Sequence, residues 1–263
     1  MSIEGMVENY GNISKTEIDT MFSGAQYIMN SMMVLQKTDY GSLDSYLNDV
    51  EWSKKNRHTE IYDDFLEELE SVRLSEMHTG NGHIYLKMRF SYAVTLMESC
   101  LSEMLKSVTM QYEAFRRNAI NEINDLKTLK ISAPLLLDKN PKDILDNAIM
   151  GHLSHVLYHN MDKVSKVYTD IIGEKFPSVL NDDNKVIRDL MALRHDIVHR
   201  NGKKIGGEEI HIDISLVESC IAHIRIFVES VHEYLDRNVK KSVKKLIDTN
   251  FAKYKPLTVA PSC

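Results

Sequence analysis

Residues 90–108 read FSYAVTLMESCLSEMLKSV. Phe90, Ala93, Val94, Met97, Leu101, Met104, Leu105 and Val108 recur at intervals of 3, 1, 3, 4, 3, 1 and 3, tracking one side of a 3.6-residue helix. The stretch therefore predicts a long amphipathic helix whose apolar stripe faces a core. Outward from it, the same period marks further helices. Ile61, Phe65, Leu69 and Val72 form one stripe, with Glu67, Glu68 and Glu70 on its wet side. Phe115–Leu129 continues the helical character as far as Pro134. Asn140-Pro141 then restarts it, with Asn as cap and Pro in the first turn. That helix is expected from Ile144 to about His159, with Met161–Ile172 extending or following it up to Gly173 and Pro177.

Asn181-Asp182-Asp183-Asn184 reads as the cap of a helix built on Val186, Leu190, Leu193 and Ile197, which Asn201-Gly202 stops. Glu209–Ile214 alternates apolar and polar residues and reads as a short β-like arm. The last long helix carries Val217, Cys220, Ile221, Ile224, Phe227, Val228, Val231 and Leu235. Upstream, Ser14 and Glu17 make a capping-box signature for a helix to about Leu35. The fold class is all-α, an up-and-down helical bundle.

Composition agrees. The 263 residues include only 11 Gly and 5 Pro but 14 Met, which favours helix over the glycine-rich turns of a parallel α/β fold. No apolar run approaches the ~18 residues of a membrane span. The polar, acidic N-terminus is unlike a signal peptide. Cys100, Cys220 and Cys263 are too few and scattered for a disulfide framework. A reduced, cytoplasmic protein is expected, with no membrane partner.

Charge divides the chain. Residues 1–82 carry 6 basic and 15 acidic groups, and residues 83–263 carry 26 and 23. The change coincides with the break at Gly80-Asn81-Gly82. The expected organisation is an acidic helical extension over 1–82, a main helical domain over 83–238 and a basic helix end and tail over 239–263. A mildly basic body suits an anionic partner.

The chemistry concentrates in LMALRHDIVHRNG, residues 190–202. Two imidazoles, two guanidiniums and a carboxylate crowd the end of an otherwise apolar stripe. Arginine offers a fixed fork of donors for phosphate oxygens, and histidine moves protons near neutral pH. Together they suffice for metal-free phosphodiester cleavage. No Walker loop, GxGxxG, GxSxG or zinc-finger spacing occurs, so nucleotide hydrolysis and serine-type hydrolysis have no support.

Arg194-His195-Asp196-Ile197-Val198-His199 resembles the signature of the HEPN superfamily: an arginine, a polar residue, three to five more residues, then histidine. The loose spacing also fits Arg73/His78, Arg188/His195 and Arg225/His232. Only Arg194/His199 adds the polar second residue, the Ile-Val pair and the Asn-Gly stop before one further long helix. The resemblance covers residues 83 to about 238 and implies a homodimeric, metal-independent endoribonuclease without cofactor. It also implies a role as a toxin or antiphage effector with an antitoxin or regulatory partner. On that likeness the 2′-hydroxyl attacks the adjacent phosphorus, His199 transfers a proton and Arg194 stabilises the phosphorane. His195 orients the substrate or takes the second proton role. The rival implied by the same family is a non-catalytic interaction module.

Supporting roles are expected for Asp196, Asn201 and Glu98. The simpler reading of Glu98, opposite the apolar stripe, is a surface glutamate. Arg200, Lys203 and Lys204 are candidate grips on an RNA backbone, and Lys240–Lys245 could extend that track. His152, His155 and His159 fall within about 60° of one another on an ideal helix. They predict a polar stripe facing solvent or RNA, not a metal site. Arg194 and His199, five residues apart, point about 140° from each other on such a helix. Either the helix breaks between them or two copies pool their motifs.

Overall fold

The computed structural model describes residues 46–75, 82–178 and 184–253. All belong to the second of the chain's two compact units, Tyr46–Cys263. The expected helix from Ser14 to Leu35, the Gly80-Asn81 break, the Asn181–Asp183 part of the cap and the tail beyond 253 lie outside the described residues. The helices in chain order are α1 (Leu47–Lys55), α2 (His58–Leu74), α3 (Gly82–Gln111), α4 (Glu113–Glu122), α5 (Asn124–Lys127), α6 (Ala133–Asp138), α7 (Pro141–Ser154), α8 (Met161–Ile172), α9 (Lys185–His199) and α10 (Ile214–Lys253). The fold is an all-α helical bundle, with no strand among the described residues. None of its described helices is long and apolar enough to cross a membrane.

The stripe at the centre of α3 behaves as its period demands. Phe90, Ala93, Val94, Met97, Leu101, Met104, Leu105 and Val108 are completely buried. α2 and α10 pack on α3 and on each other, and α9 lies against α3 and α10. The α2 stripe (Ile61, Phe65, Leu69, Val72) and the α10 stripe from Val217 to Leu235 close one continuous core.

This core extends the main unit beyond the boundary expected at residue 82: it begins at Tyr46 and includes α1 and α2. The physical reason is that α3 completes both helix ends. A helix leaves its last carbonyls without partners. The Arg89 guanidinium, 7% exposed, donates from Nε to the Val72 carbonyl at 3.0 Å and from Nη2 to that of Arg73 at 2.7 Å. Gln111 Nε2 donates to the carbonyls of Ser53 and Asn56 at 2.9 and 2.8 Å, and the Ser107 hydroxyl donates to Asn56 at 2.7 Å. The acidic residues of α2 therefore coat one side of the bundle. A further tie is the buried carboxylate of Asp146 on α7, which meets Lys54 of α1 at 3.1 Å and Arg116 of α4 at 3.0 Å.

Three local expectations change. The Asn140 cap forms as read, its side chain accepting from the Lys142 N–H at 2.9 Å. Its helix, however, stops at Ser154, and α8 starts separately behind an Asn160 cap that accepts from the N–H groups of Asp162 and Lys163. Asn184 precedes α9 with φ of 59°, but its side chain donates to the Pro177 carbonyl instead of capping. The arm at 209–214 makes one isolated bridge, Lys203 with Glu209, and no strand. What holds it is burial of Ile210 and Ile212.

Candidate active site

α9 buries Ile187, Leu190, Met191 and Ile197 against the bundle. This leaves Arg188, Ala192, His195 and His199, spaced three, four and seven apart, along an outer face. Its C-terminus closes tightly. The Asp196 carbonyl accepts from the N–H groups of both Arg200 and Gly202 at 3.1 Å. Asn201 and Gly202 turn the chain with φ of 54° and 77°. Glycine suits Gly202 because of this positive φ, and a Cβ there would also push aside the Lys87 amine, whose Nζ would lie 2.5 Å from it. The Ile210 N–H donates to the Gly202 carbonyl at 2.8 Å, locking the loop that carries Lys203 and Lys204.

A cleft of about 350 Å³ opens between α9 and the start of α8. Arg188, Met191, Ala192, Arg194, His195 and His199 line it from α9, and His159 to Asp162 line it from the other side. The His195 and His199 rings stand 4.7 Å apart, tilted by 44°. Both residues are exposed. Arg188 Nη2 reaches across to Asp162 Oδ1 at 2.6 Å, an ion pair joining the two walls.

Arg194 leaves the helix to one side of this face. Its Nε is buried and has no hydrogen-bond partner among the described residues, and the same holds for Glu98 Oε1 on α3. Burial pushes the Glu98 carboxyl above the usual range while the positive charge of Arg194 draws it down. Glu98 is thus a half-buried neighbour of the motif arginine, not the surface glutamate of the simpler sequence reading. The physical reason is that α9 covers the side of α3 that a helical wheel leaves wet.

Asp196 does support its neighbours. Its Oδ1 accepts from Arg200 Nη1 at 2.8 Å and lies 3.6 Å from His195 Nδ1. Arg200 is accordingly tied back along its own helix. The Asn201 carbonyl accepts from Lys87 Nζ at 3.4 Å, which adds an α3 cation to the basic turn. Lys203 and Lys204 are exposed beside it, with Lys204 Nζ 3.9 Å from Glu208.

α9 is continuous from Lys185 to His199. The break offered as one way to aim Arg194 and His199 at a single phosphate therefore does not occur. Both side chains still line one cleft, Arg194 from the flank and His199 from the face.

The histidine stripe does not stay together, because the helix ends before His155. His152 is half-buried, with Nδ1 3.6 Å from Asp125 Oδ2. His155 Nδ1 pairs with the Gly151 carbonyl at 2.6 Å. His159 alone joins the motif, and burial, followed by the charges of Arg194 and His195, holds its pKa below the ordinary histidine value. Among the described residues no three His, Cys, Asp or Glu side chains gather as a metal-ligand set.

The other matches to the loose motif have structural settings. Arg73 pairs with Glu70 at 2.6 Å, Arg225 pairs with Glu70 at 3.0 Å, and His232 stacks on Tyr62 at 4.1 Å. Arg188 belongs to the cleft itself, through the i, i+7 relation to His195 that the spacing already displayed. Sequence reasoning did not find Lys87, because nothing in the pattern of α3 links it to residue 201. The chain matches no protein-family model, no curated protein and no solved structure.

Proposed function

We propose that the chain is a metal-independent endoribonuclease of the HEPN type, working on RNA in the cytoplasm as a toxin or antiphage effector. The observation that supports this best is the gathering of Arg194, His195 and His199 along one open cleft beside a basic turn. In the reaction, the ribose 2′-oxygen bonds to the adjacent phosphorus and the bond to the 5′-oxygen breaks. This leaves a 2′,3′-cyclic phosphate and a 5′-hydroxyl. His199 transfers a proton, Arg194 neutralises charge on the phosphorane, and His195 orients the phosphate. Lys203, Lys204 and Lys87 hold the flanking backbone electrostatically.

The assembly is a homodimer. A second copy docked on this open cleft supplies a second guanidinium to the exposed imidazoles. Exposed apolar side chains near the motif favour such docking: Val198 on α9, Ile205 in the loop, and Ile84 and Met88 on the helix whose Lys87 reaches Asn201. An antitoxin or regulatory protein restrains the nuclease.

The test is cleavage of RNA by purified protein. Arg194→Ala and His199→Ala each lower the rate by on the order of 10²-fold or more, whereas Arg225→Ala leaves it unchanged. Equal losses in all three variants would place the site elsewhere. Mixing the Arg194→Ala and His199→Ala chains restores activity if the site is pooled between copies.

A further inference from the structure

His159 comes from outside the Arg194–His199 segment, and its position is set by three neighbours. Tyr158 before it is buried, and the Asn160 N–H donates to the Leu157 carbonyl at 2.8 Å, closing a tight turn. The Asn160 side chain then caps α8. The imidazole is thus carried by a fixed turn rather than a floppy loop, while the residue itself is exposed and lines the cleft. It has no hydrogen-bond or ion-pair partner among the described residues, so its ring nitrogens are available to a ligand. The cleft volume of about 350 Å³ falls at the lower end of small-ligand sites, about 300–1,000 Å³.

Cleavage through a 2′-hydroxyl needs two proton movements, one off the nucleophile and one onto the leaving oxygen. The two walls of the cleft offer one imidazole pair on α9 and one separate imidazole opposite. We propose that His159 is the general base of this site, accepting the 2′-hydroxyl proton while His199 gives a proton to the departing 5′-oxygen. The inference rests on the endoribonuclease reading and completes its proton balance. One O–P bond forms and one breaks, one proton enters His159, one leaves His199, and nothing is oxidised or reduced.

The electrostatics suit this division. A base must be neutral before it acts. Partial loss of solvent at the cleft wall disfavours the protonated form, and the positive charges of Arg194, His195 and His199 on α9 and of Lys163 on α8 act in the same direction. Asp162, the carboxylate that lines the same wall of the cleft, is paired with Arg188.

The experiment uses full-length protein and a short RNA containing a step the wild type cuts, with the rate followed from pH 4.5 to 9. A matched RNA carries a bridging 5′-sulfur at that step, a leaving group that needs no acid. His159→Ala should lower the rate on the order of 10²-fold or more and abolish its fall at acid pH. The bridging sulfur should rescue His199→Ala and leave His159→Ala slow. Circular dichroism should show native helix in both. Wild-type-like rates and acid limb in His159→Ala, alongside an inactive His199→Ala, would overturn the assignment of His159 alone. Rescue of His159→Ala by the sulfur would make it the acid and equally overturn the assignment. No cleavage of any RNA by the wild type would overturn the endoribonuclease reading as well.

Discussion

Replacing Arg89 with Ala tests whether α1 and α2 belong to the same cooperative unit as the site-bearing helices. The guanidinium makes two donations to carbonyls in the last turn of α2, at 3.0 and 2.7 Å, and it is 7% exposed. Charge-assisted bonds of this kind contribute roughly 1.5–3 kcal/mol each. Its third contact, to Glu218 Oε1 at 3.2 Å, involves a carboxylate 41% exposed and adds less than about 1 kcal/mol. The variant should therefore lose about 3–6 kcal/mol. At a urea slope of about 2 kcal/mol per molar, the midpoint falls by about 1.5–3 M. Arg89→Lys, with one donor centre in place of the fork, should fall between. Two probes read the transition: helix content by circular dichroism, and the fluorescence of Trp52 on α1, the chain's one tryptophan. Both should shift together by the same amount. A Trp52 transition that moves while the helical signal stays would refute the reasoning and restore a boundary near residue 82.

Two further outcomes follow from buried titratable groups. His58 is 4% exposed, and burial, reinforced by the nearby His232, pushes it down to about 4. A depressed histidine gives stability that is full above the unfolded value near 6.5 and is lost as pH falls toward 4. His58→Gln should therefore flatten the decline in melting temperature over that window; an unchanged decline counts against the burial argument. Glu98, held above the usual carboxylate range, works with the opposite sign. Its cost appears as pH rises through the unfolded value near 4.3, because the unfolded chain ionises first. Glu98→Gln should melt higher than wild type at pH 7, equal it at pH 3.5, and cleave RNA more slowly because Arg194 loses its charged neighbour. A melting gain of the same size at both pH values would remove desolvation as the cause.

The residues that were legible were those whose surroundings one helix determines. The α3 stripe is an example: eight apolar side chains at a 3.6-residue period leave one solution, and all eight are buried. The end of α9 was equally readable, because Asn201 and Gly202 supply the left-handed turn that a helix stop uses. Long-range polar contacts were not readable. Arg89 and Gln111 join helices across the Gly80–Gly82 break, while charge and glycine content argue for separation there. Glu98 lies off the apolar stripe and reads as wet, yet a helix packed on more than one side has little wet surface. His159 was placed on one face with His152 because no Gly or Pro announces the end of α7 at Ser154. The Asn160 cap was the available signal, since a cap within a supposed helix implies two helices.

The most direct measurement is the chemistry of the ends made from RNA by purified protein in excess EDTA. Cleavage through Arg194 and His199 predicts 2′,3′-cyclic phosphate and 5′-hydroxyl termini, formed at the same rate with or without Mg²⁺ and lost in the Arg194→Ala/His199→Ala double variant. Termini bearing a 5′-phosphate, activity that disappears in EDTA and returns with Mg²⁺, or cleavage that persists in the double variant would each contradict it.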